Sequence, residues 1–126
     1  MVVQVSNMEL ARLITLIIIL ILLVITTYVN YKKTKELINL TIKFDNIAVT
    51  NEDVPDYLLR MYDEFKELVN RLVKLRKFVK EDKVFKNLDA YRKEMLLKQL
   101  QQMEDYADTL ECRIAYEENL LKTNNK

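Results

Sequence analysis

The sequence predicts an all-α fold: one N-terminal transmembrane helix followed by a long antiparallel, coiled-coil-like hairpin of two helices. Three observations carry that expectation. An uncharged apolar run extends from Leu13 to Val29. Glycine is absent from the 126 residues and proline occurs once. Two later segments space their apolar residues in alternating steps of four and three, the signature of helix seams. Without glycine, phosphate-cradling loops, type I′ hairpins and tight βα turns lose the residue that supplies their positive φ or close backbone approach. Rossmann-like, P-loop and multi-turn β folds are therefore excluded as expectations.

The first element is the apolar run, with Leu10 and Ala11 extending it upstream past Arg12. About 20 helical residues at ~1.5 Å each cross the roughly 30 Å hydrocarbon core of a bilayer, so residues 10–30 read as a transmembrane helix. Arg12 can snorkel at one end, and Tyr28 with Tyr31 mark the other interface. A cleaved secretory signal needs a basic N-terminal region and a small-residue cleavage site. MVVQVSNME contains no Lys or Arg, and TTYVNYKK offers no such site. Lys32, Lys33 and Lys35 outweigh Arg12 as flanking charge, so the positive-inside rule puts residues 1–9 outside the cell and the long C-terminal part in the cytoplasm. The expected location is the inner (cytoplasmic) membrane, as a single-pass protein.

The connector, 31–53, supports two patterns. Ile38, Leu40, Ile42 and Phe44 alternate as in a strand, whereas Leu37, Leu40, Phe44 and Ile47 are spaced as on a helix. A lone strand leaves its edges unpaired, so a helix running on from the membrane and fraying near Asp45 is expected. Asp53 is the expected N-cap of the next helix, with Pro55 in its first turn.

The hairpin, 54–121, follows. Its expected core is Leu58, Met61, Phe65, Leu68, Leu72 and Leu75 on the first helix, with Leu96, Leu100, Met103, Leu110 and Ile114 on the second. KEDKVFKNLD, Lys80 to Asp89, joins them; so short a connection makes the helices antiparallel neighbours. Asp89 should cap the second helix, with Phe85 and Leu88 packing over the tip. Leu59, Tyr62, Val69 and Val73 widen the first apolar stripe, and Met95, Leu97 and Tyr106 the second. Two helices cannot cover that many sides, so a further helical partner or self-association is expected. Residues 122–126 read as a disordered tail.

Net charge is only +1, but its distribution is uneven. Antiparallel packing gathers Asp56, Asp63, Glu64 and Glu67 of the first helix with Glu104, Asp105, Asp108, Glu111, Glu117 and Glu118 of the second at the connector end. It gathers Arg76, Lys77, Lys80, Lys83 and Lys86 at the tip, where they form a candidate partner surface for anionic lipid, an acidic protein or nucleic acid phosphate. On the second helix this polarity opposes the macrodipole.

The residues Leu68, Arg71, Leu72, Leu75, Phe78, Phe85, Leu88, Leu97, Gln99, Leu100, Met103, Tyr106, Leu110, Arg113 and Ile114 carry a resemblance. With its F-x6-F-x2-L turn and Q-x3-M-x2-Y run, the stretch Tyr62 to Ile114 resembles a family of short phage-encoded helical hairpins. That family is named after crAss-like bacteriophages. Its members typically open the second helix with a serine and acidic residues, where this chain has DAYRKE. The resemblance implies a phage or prophage origin and a two-helix fold, but no established activity.

Catalysis is not expected. Histidine is absent, and Cys112 is the single cysteine, expected as a small half-buried helix residue. A disulfide within the chain is impossible, no transition-metal donor set is offered, and the carboxylates sit at ordinary helix-surface positions. No cofactor and no small-molecule substrate are anticipated. The expected function is that of a non-catalytic membrane protein presenting its hairpin in the cytoplasm for protein–protein interaction or homo-oligomerisation. The host-side role would be envelope modification, superinfection exclusion or anti-defence. Two alternatives are a spanin-like lysis protein with a periplasmic coiled coil and a membrane tether binding nucleic acid through its basic tip.

Overall fold

A computed structural model describes residues 2–50 and 53–125; Met1, Asn51, Glu52 and Lys126 lie outside the described residues. The chain is helical throughout its elements, with no strand among the described residues. In chain order these are α1 (Val2–Thr50), α2 (Asp56–Glu81), α3 (Lys83–Lys86) and α4 (Ala90–Asn124). The chain divides into two units, Met1–Glu36 and Leu37–Lys126.

The first unit is the N-terminal part of α1. Every large apolar side chain from Leu16 to Ile25 is exposed, on all sides of the helix, a distribution that suits hydrocarbon and not water. This is one helix long and apolar enough to cross a membrane. Its threonine hydroxyls are satisfied within the helix. Thr15 donates to the Ala11 carbonyl at 2.9 Å, Thr26 to Leu23 at 2.9 Å and Thr27 to Leu23 at 3.0 Å, so no side-chain donor of these threonines enters the apolar phase bare. Residues 2–9, expected as a short tail, already belong to α1.

The second unit begins where α1 acquires a buried face. Leu37 and Phe44 are buried, and Leu40 and Ile47 pack against the same core. Ile38 and Ile42 are exposed, at 40% and 53%. The helical spacing is therefore the one the fold uses, and the strand alternation is a coincidence of composition. The helix does not fray at Asp45 but runs to Thr50, because this last segment is held from the side by α2.

α2 starts one residue after an extended Pro55, which serves as its N-cap without any side-chain cap bond. The Pro55 carbonyl accepts from Leu58 N at 2.9 Å and Leu59 N at 3.1 Å. Asp53, expected as the cap, stands in a turn two residues upstream, outside the cap position. Asp56 instead supplies an acidic group in the first turn, favourable to the macrodipole. At the far end Asp82 terminates α2 and caps α3, its carboxylate accepting from Val84 N at 2.7 Å. Asp89 caps α4 as expected, accepting from Arg92 N at 2.9 Å. α4 continues to Asn124, so residues 122–124 extend the helix where a tail was expected.

The core of this unit is a three-helix contact. Leu58, Met61, Tyr62, Phe65, Val69 and Leu72 of α2 meet Ala107, Leu110 and Ile114 of α4 and Leu37 and Phe44 of α1. Phe44 stacks on Tyr62 (ring centroids 4.6 Å apart, 17° between planes) and meets Phe65 edge-on at 5.3 Å. Such aromatic pairs add about 0.5–1.5 kcal/mol each beyond their buried area. Part of the widened α2 stripe is thus met by the chain's own α1 segment, with Phe44 on Tyr62.

Candidate functional site

The expected hairpin core divides in two. Leu58, Met61, Phe65, Leu72, Leu110 and Ile114 are buried, whereas Leu68, Leu75, Leu96, Leu100 and Met103 are half-buried. The register explains the division. Phe44 packs on Tyr62 and Phe65, Ile47 lies beside Leu58, and only a short connection joins Thr50 to Asp56. α1 and α2 therefore run antiparallel, and counting back along α1 brings Leu37 near the level of Val69 and Leu72. Beyond that level the unit has only α2 and α4, and a two-helix seam leaves its outer flank open. Met95, Leu97 and Tyr106 of α4 remain exposed for the same reason, at 37%, 48% and 41%.

At the base, polar groups tie α4 across the other two helices. The Tyr62 hydroxyl donates to Glu118 at 2.8 Å, the Tyr57 hydroxyl donates to Glu117 at 3.1 Å, and Lys43 approaches Glu118 at 3.9 Å. Burial, reinforced by the Glu118 hydrogen bond and charge, raises the Tyr62 hydroxyl above the ordinary tyrosine value. Desolvation and then Glu117 push Tyr57 the same way. Lys66 is raised by its hydrogen bond to Asp45. Lys43, Tyr62 and Glu118 line an open cleft of about 310 Å³ together with Ile47, Leu58 and Leu121. Its tyrosine and carboxylate are engaged with each other, an arrangement that fixes helix register.

At the tip, α3 makes a single turn between the long helices. Phe85 packs edge-on against Phe78, centroids 5.9 Å apart at 77°, which is the tip closure expected from Phe85. Of the five basic residues expected to form one surface, the structure removes Arg76. Its guanidinium is ion-paired with Glu104 across the α2–α4 seam, and both side chains are largely covered, at 14% and 18% exposure. Lys77, Lys80, Lys83 and Lys86 are exposed. Sequence reasoning missed the Arg76–Glu104 pair. Its signal was present: a basic and an acidic residue at equal height on antiparallel helices, one step from the seam. Cys112, expected half-buried, is exposed.

Lys32, Lys33 and Lys35 lie on α1 directly after the apolar run, in the first unit. Lys32 and Lys35 are exposed and Lys33 is partly covered.

No curated protein and no solved structure matches the chain. A family model described as Sequestin matches residues 55–116. The stretch Tyr62 to Ile114, on which a family resemblance was drawn, falls inside that range; the description names neither a phage nor an activity. Over α2, α3 and most of α4, just under half of its length, the chain is similar to the Sequestin family, and the match leaves out all of α1.

Proposed function

We propose that this is a non-catalytic, single-pass membrane protein that holds its C-terminal helical unit in the cytoplasm as an interaction module. The observation that carries the reading is the abrupt change along α1. Its apolar side chains are exposed all round up to Val29, and from Leu37 onward it supplies one face of a folded core. A helix with that division has one part suited to lipid and one part suited to a packed bundle in water. Lys32, Lys33 and Lys35 support a cytoplasmic C-terminus through the positive-inside rule. The resemblance to phage-encoded hairpins supports a phage or prophage setting, in which the module would modify the host envelope, exclude a second infection or block a defence protein.

The test uses the exposed Cys112, which is the only cysteine in the chain. A membrane-impermeant maleimide is applied to intact cells, to cells opened at the outer membrane, and to fully permeabilised cells. Labelling only after full permeabilisation is the expected result. Labelling once the outer membrane alone is open would place the hairpin in the periplasm and favour a spanin-like lysis role.

A further inference from the structure

The two ends of the C-terminal unit differ in chemistry, and the chain enters at only one of them. Because α1 and α2 are antiparallel, α2 runs back towards the end at which the chain comes in. It passes the level of Leu37 near Leu72 and continues to Glu81, about 14 Å farther at ~1.5 Å per residue. The link from the apolar run to Leu37, residues 30–36, is helical and measures about 10 Å on the same scale. Within the unit, the tip thus lies beyond the level of Leu37, where the chain enters the core. Leu37 follows Val29 by eight residues, so with Leu13–Val29 in a bilayer the tether is short enough for the unit to meet the headgroups.

The side chains at that end suit such a surface. Lys77, Lys80, Lys83 and Lys86 are exposed. The acids nearby are Asp82 and Asp89, which accept backbone N–H bonds as caps, Glu81 on the last turn of α2 and Glu94 in the second turn of α4. The Phe78–Phe85 contact fixes α3 with Val84 60% exposed, and Tyr91 is 70% exposed at the start of α4. Lysines around an outward apolar residue and a tyrosine are the composition of a peripheral contact with anionic lipid.

We propose that the hairpin tip docks on the anionic phospholipid headgroups of the leaflet that α1 leaves, giving the unit a second membrane contact besides its anchor. The proposal rests on the anchor reading above. Full-length protein carrying Cys112→Ser and Val84→Cys is labelled at position 84 with an environment-sensitive fluorophore and reconstituted in vesicles containing a headgroup nitroxide quencher. In bilayers with ~30% phosphatidylglycerol the probe is quenched; in phosphatidylcholine alone, or after Lys77, Lys80, Lys83 and Lys86 are changed to Gln, quenching falls at least about threefold. Arginine at the same four positions retains it, and a probe at Asn125→Cys, at the other end of the unit, stays unquenched throughout. Equal quenching at both positions, or quenching indifferent to lipid charge, overturns the proposal. So does release of the tip by added RNA at physiological salt, which would mark a nucleic-acid site. Flotation separates the two readings. A chain that does not float with the vesicles overturns the anchor and the tip contact together, whereas a floating chain with an unquenched tip overturns the tip contact alone.

Discussion

Tyr62 serves the fold through both of its faces: its ring stacks on Phe44 and its hydroxyl donates to Glu118. Tyr62→Phe keeps the stack and removes the donor, and should lower stability by about 0.5–1.5 kcal/mol in denaturation followed by circular dichroism. The pH dependence has a definite sign. The folded-state hydroxyl ionises above the ordinary value of 10.0, so its contribution is complete below that value and is lost as pH rises beyond it, when the unfolded chain ionises first. Tyr62→Phe should flatten that part of the alkaline stability profile; an unchanged slope would remove Tyr62 as its source. Burial depth sets a second contrast. Phe65 is fully buried, and Phe65→Ala should cost about 3–5 kcal/mol. Leu96 is half-buried on the two-helix seam, and Leu96→Ala should cost roughly 1–2 kcal/mol, since about half as much apolar surface is lost.

Among the elements, the last segment of α1 has the largest effect on the rest. Leu37, Leu40, Phe44 and Ile47 turn a hairpin with an open flank into a three-helix core. Phe44→Ala should therefore loosen one element selectively. Amide hydrogen exchange over 37–50 is expected to speed by at least about tenfold, with much smaller changes at Leu110 and Ile114. Uniform loss of protection would instead mean that the three helices fold as one unit. Capping operates on a smaller scale. Asp89 holds the start of α4, and Asp89→Ala should cost about 0.5–2 kcal/mol, seen as faster exchange confined to the first turn of α4.

For the whole molecule, the proposed orientation rests on a few charges beside a long apolar run. Replacing Lys32, Lys33 and Lys35 by glutamine removes the excess over Arg12, and a measurable fraction of chains should then invert. Cys112 labelling reads that fraction directly, and an unchanged pattern would assign orientation to something other than these lysines. The apolar span was legible in sequence because its hydropathy is a sum over neighbouring residues. The tip is less legible. Five basic residues looked equivalent in sequence, yet Arg76 is committed to Glu104 while Lys77, Lys80, Lys83 and Lys86 face solvent. That difference depends on which residue of another helix stands opposite.

The sequence by itself determined the helical class, the single apolar span, the antiparallel hairpin and the Asp89 cap. Each depends on residues within a few turns of one another, through periodicity, capping and the lack of glycine. Only the tertiary structure decided that the connector is the third helix of the core. Only there did Phe44 find Tyr62 and Phe65, and only there did the seam divide into a buried base and a half-open tip. Those outcomes depend on register between helices distant in sequence, and a seven-residue repeat fits several registers nearly equally well. The choice among them is made by side-chain shape and by cross-helix partners, which act only once the helices are packed.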